Sequence, residues 1–325
     1  MRRRDFIILL SGAALGWPVT GHAQHPKKVS RIGFLRIGAP PQSWIAPMQK
    51  ALKDLGYVEG ENFVFEYALA KRVVELPKLA TDLVRHKVDV IVASGTPAVI
   101  PSRNATDTIP IVFIAAIDPV ATGMVNSLAR PGGNMTGLTS IFSQLAGKRL
   151  QVLKEIVPSL KRVALFSRPK NPGHYQYVQN TLEAARILGI ELDVVAINNA
   201  DEFEEAFRKI QGVGALIQID DAMFTSHRKE LVELATKYSI PGAYGFREFL
   251  DVGGFMALGP SYPDLYRRAA TYVDKILKGR NPADLPVEQP SKFEFILNLK
   301  NGEEDWPNSA AGGPRPRRRA HRIAA

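Results

Sequence analysis

Val88-Asp89-Val90-Ile91-Val92-Ala93-Ser94-Gly95-Thr96-Pro97 is the stretch whose reading decides the fold. Val88–Ala93, apolar and mostly β-branched apart from Asp89, shows no regular polar alternation, the pattern of a strand buried on both faces. Ser94-Gly95-Thr96-Pro97 then opens a helix, with proline at the first position, where no N–H is required. A buried strand running straight into a helix is the βα step of a parallel sheet covered by helices. The neighbouring sequence repeats that step. Upstream, Arg31–Leu35 reads as a strand, Ala46–Leu55 as a helix stopped by Gly56, Phe63–Tyr67 as a strand and Leu76–Arg85 as a helix. Downstream, Ile111–Ala116 is another buried strand.

Near Arg162 the grammar restarts. Arg162–Phe166 reads as a strand, Tyr175–Leu188 as a helix closed by Gly189, and Glu191–Ala196 as a strand. Asp201–Ile210 follows as a helix capped by Asp201, then Ala215–Ile219 as a strand and Arg228–Tyr238 as a helix. Tyr262–Leu277 is a long amphipathic helix ended by Gly279, a proline-rich crossover runs from Asn281 to Pro290, and Phe293–Leu299 is a last strand. The expected fold class is α/β: two doubly wound parallel-sheet lobes joined by a multi-strand hinge, with a cleft between them. The expected division is lobe 1 at 30–140 with 245–288, and lobe 2 at 141–244 with 289–300.

The ends stand apart from this body. Residues 1–23 read as a signal peptide, with a basic start at Arg2, Arg3 and Arg4, an apolar run from Phe6 to Leu15, and small residues at Gly21-His22-Ala23. Arg3-Arg4-Asp5-Phe6-Ile7 fits the twin-arginine pattern of an export address. With no cysteine for lipid anchoring or disulfides, the expectation is an exported, soluble, unanchored protein of the periplasm, held together by burial alone. The formal charge of +10 is spread along the chain. Residues 1–23 hold three Arg against one Asp, and residues 301–325 five Arg against three acids, so six of the ten excess charges lie in the body without a basic run. That argues against a nucleic-acid face. No later apolar run is long enough to span a bilayer. Residues 301–325, rich in Ala, Gly, Pro and Arg, lack any period and read as disordered.

Enzymes are excluded by what is missing. The sequence has no P-loop lysine motif, nucleophile elbow, His-Glu-x-x-His or cysteine nucleophile, and its six histidines show no ligand-like spacing. Neither a cofactor nor a metal is expected. Asp220-Asp221 are adjacent, and adjacent side chains at a strand end diverge. The informative positions are strand ends, where open α/β sheets bind their ligands. Ser94 and Thr96 offer hydroxyls and free N–H groups as an anion seat, or else simply cap a helix. Asp118 follows the next strand, where it either lines the cleft or caps a turn. Asn171 holds the equivalent place in the second half. Asp221 puts a carboxylate toward the cleft, or caps the helix after it. Tyr244 ends a strand at the hinge, where its ring can stack on a ligand. An anion seat facing a carboxylate suits a zwitterion such as an amino acid.

Several phrases carry a family resemblance. Leu55-Gly56-Tyr57-Val58-Glu59-Gly60-Glu61-Asn62, Gly95-Thr96-Pro97-Ala98, Asp118-Pro119-Val120, Pro282-Ala283-Asp284-Leu285-Pro286 and above all Ala129-Arg130-Pro131-Gly132-Gly133-Asn134-Met135-Thr136-Gly137 resemble ABC transporter substrate-binding proteins. The group is that of the type I periplasmic binding fold, which includes tryptophan- and tyrosine-associated importers. The resemblance runs from about Arg31 to Lys300. It implies a two-lobed fold with three hinge crossovers, and hinge closure on a small ligand, by analogy an aromatic or branched amino acid. It also implies delivery to the permease and ATPase subunits of an importer; a ligand-sensing module of the same fold, presenting solute to a receptor, is the alternative. By similarity Ser94 and Thr96 would take a ligand carboxylate, Asp118 would line the first lobe, Asn171 the second, and Asp221 would meet the ammonium. Asp220 departs from the family, which often has glycine there. The sequence after Lys300 departs altogether, and a one-base shift in reading frame would restore a family-like Thr-Ala-Lys stretch.

Overall fold

The computed structural model describes residues 29–298. The signal-peptide and tail readings lie outside the described residues. The chain runs β1 (Ser30–Ile37), α1 (Gln42–Asp54), β2 (Phe63–Ala70), α2 (Leu76–Arg85), β3 (Val90–Ser94), α3 (Thr96–Ala105), β4 (Ile111–Ile117) and β5 (Met135–Ser140). It continues with α4 (Phe142–Ile156), β6 (Arg162–Ser167), α5 (His174–Leu188), β7 (Glu191–Ala196), α6 (Phe203–Lys209), β8 (Ala215–Gln218), α7 (Ala222–Ser226), α8 (Arg228–Lys237) and β9 (Gly242–Tyr244). The last elements are β10 (Met256–Pro260), α9 (Tyr262–Leu277) and β11 (Phe293–Leu297).

Two sheets form, in strand orders β2-β1-β3-β4-β5 and β11-β10-β9-β8-β6-β7. All pairings are parallel except β10 with β11. This is the two-lobed α/β fold of the type I periplasmic binding proteins. The unalternated strands are fully buried, as in β3 and β4, because helices cover both faces of the sheet. Gly189 takes the left-handed conformation that ends α5, and Gly56 and Gly279 have φ of 91° and 89° just past α1 and α9.

The chain passes between the lobes three times: from β5 to α4, from β10 to α9, and from the segment near Glu288 to β11. The α9 helix packs on α1, β3, β4 and β5 of the first lobe, after which Glu288 bridges Leu138 beside β5. One expected boundary is therefore corrected. Residues 245–288 do not stay together with the first lobe, because β10 pairs with β9 and β11 in the second sheet. Another correction concerns residue 201. No side chain caps α6, and it is Glu202 that accepts the Asn198 N–H, at 2.9 Å.

The sequence reading passed over β5 and α4. Met135–Ser140 is a Gly- and Thr-containing stretch without an apolar run, yet it is wholly buried between β4 and the late crossover. Gly137, at φ 147°, is required there, since a Cβ would stand 2.1 Å from the Phe113 carbonyl oxygen. The phrase that carried most of the resemblance thus serves close strand packing.

Candidate functional site

The carboxyl ends of β1, β3, β4 and β8 converge on a cleft between the lobes. Its lining comes from both lobes: Arg36, Trp44, Ser94, Gly95, Thr96, Ala115 and Ile117 from the first, and Asn171, Asp220, Asp221, Thr225 and Phe246 from the second, with Tyr262 at the crossover into α9. The end of β4 is bent to fit. Its pairing with β5 shifts between Ile114 and Ala116, and Ala115 sits at φ 58°, a left-handed conformation costly for a residue with a Cβ.

Four expected residues come together here, each with at least one polar group already engaged. The Ser94 hydroxyl pairs with the Tyr266 hydroxyl at 2.7 Å. The Thr96 Oγ1 accepts the Ile117 N–H at 2.9 Å, which leaves its own proton to donate. Neither caps α3, whose N-cap is Gly95 at φ 84° without a side-chain bond. Asn171 donates Nδ2–H to Asp221 Oδ2 at 2.8 Å and accepts the Gly173 N–H through Oδ1.

Asp221 is the most committed of them. Its Oδ1 accepts the Met223 N–H and an Arg168 Nη1–H, both at 2.8 Å, so the expected helix cap forms and a buried ion pair lies beside it. Burial opposes its charge, but Arg168, His174, the Met223 amide and Asn171 together hold the carboxyl below the usual carboxylate range. His174 accepts the Arg168 N–H through Nδ1, so its neutral ring carries the proton on Nε2, 3.6 Å from Asp221. Burial pulls this imidazole down to about 4. A carboxylate whose two oxygens already face an arginine, an asparagine and a backbone amide has little left for a ligand ammonium.

Two expected residues lie elsewhere. Asp118, at φ 43°, does not line the cleft; its Oδ2 accepts the Ser143 hydroxyl of α4 at 2.7 Å, tying one lobe to the other. Tyr244 does not line it either. Its ring stacks on Phe249 at 4.4 Å and 6°, and its buried hydroxyl has no hydrogen-bond partner among the described residues.

What the sequence reading missed is the aromatic and cationic wall. Trp44, Phe246 and Tyr262 pack against one another with ring centroids 5.1, 4.4 and 4.3 Å apart. Arg36 is 1 % exposed, its Nη1 donates to the carbonyls of Ile37, Gly38 and Ala39, and its guanidinium lies 5.5 Å from the Trp44 ring centroid. Among the described residues no carboxylate pairs with it. Arg36 was hidden because it sits inside an otherwise apolar strand, where a lone arginine reads as a solvated edge.

The sequence offers Asp220 with Asp221 as a cleft-facing carboxylate, and Asp220 as a departure from a family glycine. Its Oδ2 accepts an Arg149 Nη2–H at 2.9 Å, and its Oδ1 is buried against the Gly245 backbone. Arg149 is fully spent on Asp220, the Tyr177 hydroxyl, and the carbonyls of Leu258 and Gln218. Burial pushes the Asp220 carboxyl up to about 6 against the pull of that arginine.

Lobe-to-lobe contacts ring the cleft. Glu248 Oε1 accepts the Ser43 hydroxyl at 2.6 Å and the Trp44 indole N–H at 2.7 Å. No group of three or more histidine or acidic side chains suited to a metal occurs among the described residues, and no helix there is long and apolar enough to cross a membrane.

Comparison with known proteins agrees with this architecture. The family described as ABC transporter substrate binding protein matches residues 43–305. A tyrosine-binding protein of Clostridioides difficile is 27% identical over 276 residues, covering 84% of this chain and 79% of its own. A crystal structure of a conserved domain protein from Vibrio cholerae superposes with a TM-score of 0.79 at 26% identity, over 85% of this chain and 94% of the other. A domain from Streptococcus pneumonia in complex with L-Trp superposes with a TM-score of 0.78 at 21% identity, over 85% and 94% of the two chains.

Proposed function

The chain belongs to the ABC transporter substrate-binding protein family, and from that premise we propose that it captures an amino acid with an aromatic or branched side chain by hinge closure and hands it to an importer's permease. The observation that carries the reading is Arg36, a buried guanidinium without a carboxylate partner among the described residues, set beside Trp44 in an interlobe cleft. A buried cation is costly unless an anion meets it, and a ligand carboxylate supplies one in bidentate geometry. The free proton of Thr96 adds a second donor, and the start of α3 contributes its dipole. Trp44, Phe246 and Tyr262 give the flat apolar surface on which a side chain packs. Relatives described as binding tyrosine and L-Trp support the ligand class.

The ligand-binding residues of this reading are Arg36, Ser94, Thr96, Asn171, Trp44, Phe246 and Tyr262, with Asp118 at the hinge rather than on the ligand. The basic and apolar pattern of residues 1–23 supports export to the periplasm as part of this reading.

A thermal-shift screen of the full chain against the common amino acids and their sugar and polyol counterparts tests the ligand class. A binder at 100 times its Kd raises stability by about 2.7 kcal/mol, a shift of several degrees. Stabilisation by sugars alone, with no amino acid acting, overturns the reading.

A further inference from the structure

Gly173, at the start of α5 in the second lobe, meets Ile117, the last residue of β4 in the first. A Cβ on Gly173 would stand 2.7 Å from the Ile117 Cβ and 3.2 Å from its Cδ1 and Cγ2. Resting on the hinge closure of the reading above, we propose that Gly173 sets how tightly the lobes close. Its lack of a side chain lets the second lobe seat against Ile117, and a Cβ there would prop the cleft open.

Three observations carry this. First, the backbone of Gly173 does not itself call for glycine. Its φ of −65° and ψ of −17° are right-handed helical, a conformation open to ordinary L residues. The crowding comes from across the cleft, since the three atoms nearest that Cβ all belong to Ile117.

Second, neither partner can retreat within its own lobe. The Ile117 N–H is bound to Thr96 Oγ1 at 2.9 Å, and left-handed Ala115 and Asp118 flank the residue at φ 58° and 43°. On the other side, the Gly173 N–H is bound to Asn171 Oδ1 at 3.1 Å, and Asn171 is anchored on Asp221. Each interior is closely packed, so the easiest relief of such an overlap is rotation of one lobe away from the other.

Third, a second glycine makes the same kind of contact. A Cβ on Gly38, just past β1 of the first lobe, would stand 2.2 Å from the Oγ of Ser226 in α7 of the second. Gly38 has a φ of 64°, so its backbone calls for glycine as well. Of the two, Gly173 alone separates closure from backbone strain.

The experiment titrates the full chain calorimetrically with L-tryptophan, L-tyrosine, L-leucine, D-glucose and myo-inositol, and records small-angle X-ray scattering at saturation. For every compound that wild type binds, Gly173→Ala is expected to weaken affinity at least about tenfold and to leave the bound radius of gyration larger than wild type's. In the Ile117→Gly background, which removes all three crowding atoms, the same substitution is expected to cost about twofold or less. Urea unfolding without added compound is expected to show Gly173→Ala no less stable than wild type. Alanine narrows the unfolded ensemble, and separated lobes have room for it. The scattering and stability measurements on Gly173→Ala decide the matter if Ile117→Gly fails to bind or fold. Undiminished affinity, a bound radius equal to wild type's, or an equal loss in both backgrounds overturns the assignment. So does a Gly173→Ala chain destabilised without added compound, which would place the constraint inside the second lobe. Binding of D-glucose or myo-inositol alone overturns the amino-acid reading and leaves this test intact. Failure of wild type to bind any of these compounds removes the closure premise and overturns both.

Discussion

At the scale of the residue, Asp220 and Asp221 each sit in a buried ion pair, with Arg149 and Arg168. Asp221 caps α7, pairs with Arg168 and anchors Asn171, all without exposure to solvent. Removing one partner of such a pair strands a buried charge, so Asp221→Ala is expected to lose about 3–5 kcal/mol of stability in urea unfolding. Unchanged stability would show that the cluster bears no structural load. His174 makes the same region sensitive to pH. Its folded value of about 4 lies below the ordinary 6.5, so its contribution is fully present above about pH 6.5 and is lost as pH falls toward about 4. Asp220 is shifted the other way and partly offsets this between about pH 6 and pH 4. The difference in unfolding free energy between wild type and His174→Asn cancels the Asp220 contribution. It is expected to shrink by about 3 kcal/mol from about pH 7 to pH 4. A pH-independent difference contradicts the assignment.

At the scale of the element, strands and helices that bury an apolar run or end on glycine were readable from local pattern. Leu76–Arg85, Glu191–Ala196 and Tyr262–Leu277 carry the boundaries the pattern assigned to them. β5 and α4 were not readable, and their loss hid Arg149, the residue that positions Asp220. β5 is a strand because β4 and the Glu288 segment flank it, a requirement set by residues far along the chain. Gly137 tests this dependence. Gly137→Ala brings a Cβ against the Phe113 carbonyl at a positive φ, and is expected to cost about 3 kcal/mol or more by urea unfolding. A loss below about 1 kcal/mol would mean that β4 and β5 can separate freely.

At the scale of the molecule, the two lobes are joined by covalent crossovers and by polar contacts across the cleft. Glu248 on the second lobe receives hydrogen bonds from Ser43 and Trp44 on the first, and Asp118 receives one from Ser143. The Glu248 contacts exist only with the lobes together, so they stabilise closure. Glu248→Ala is expected to enlarge the ligand-free radius of gyration in small-angle X-ray scattering and to weaken ligand affinity about tenfold, since the closed form must then be reached without them. An unaltered scattering curve with unaltered affinity would remove Glu248 from the closing motion.

By itself, the sequence determined the α/β class, the existence of two halves and the strand ends where a ligand would lie, because these follow from local periodicity and from turn chemistry within a few residues. It also brought Ser94, Thr96, Asn171 and Asp221 to notice. Only the tertiary structure decided what those side chains are free to do. It bound Asp221 to Arg168, bound Asp220 to Arg149, set Arg36 beside Trp44 with no carboxylate partner among the described residues, and took Tyr244 out of the cleft. The reason is physical. Whether a buried charge is satisfied depends on partners as many as 71 residues away in the chain, as Arg149 is from Asp220, and no local pattern carries that information.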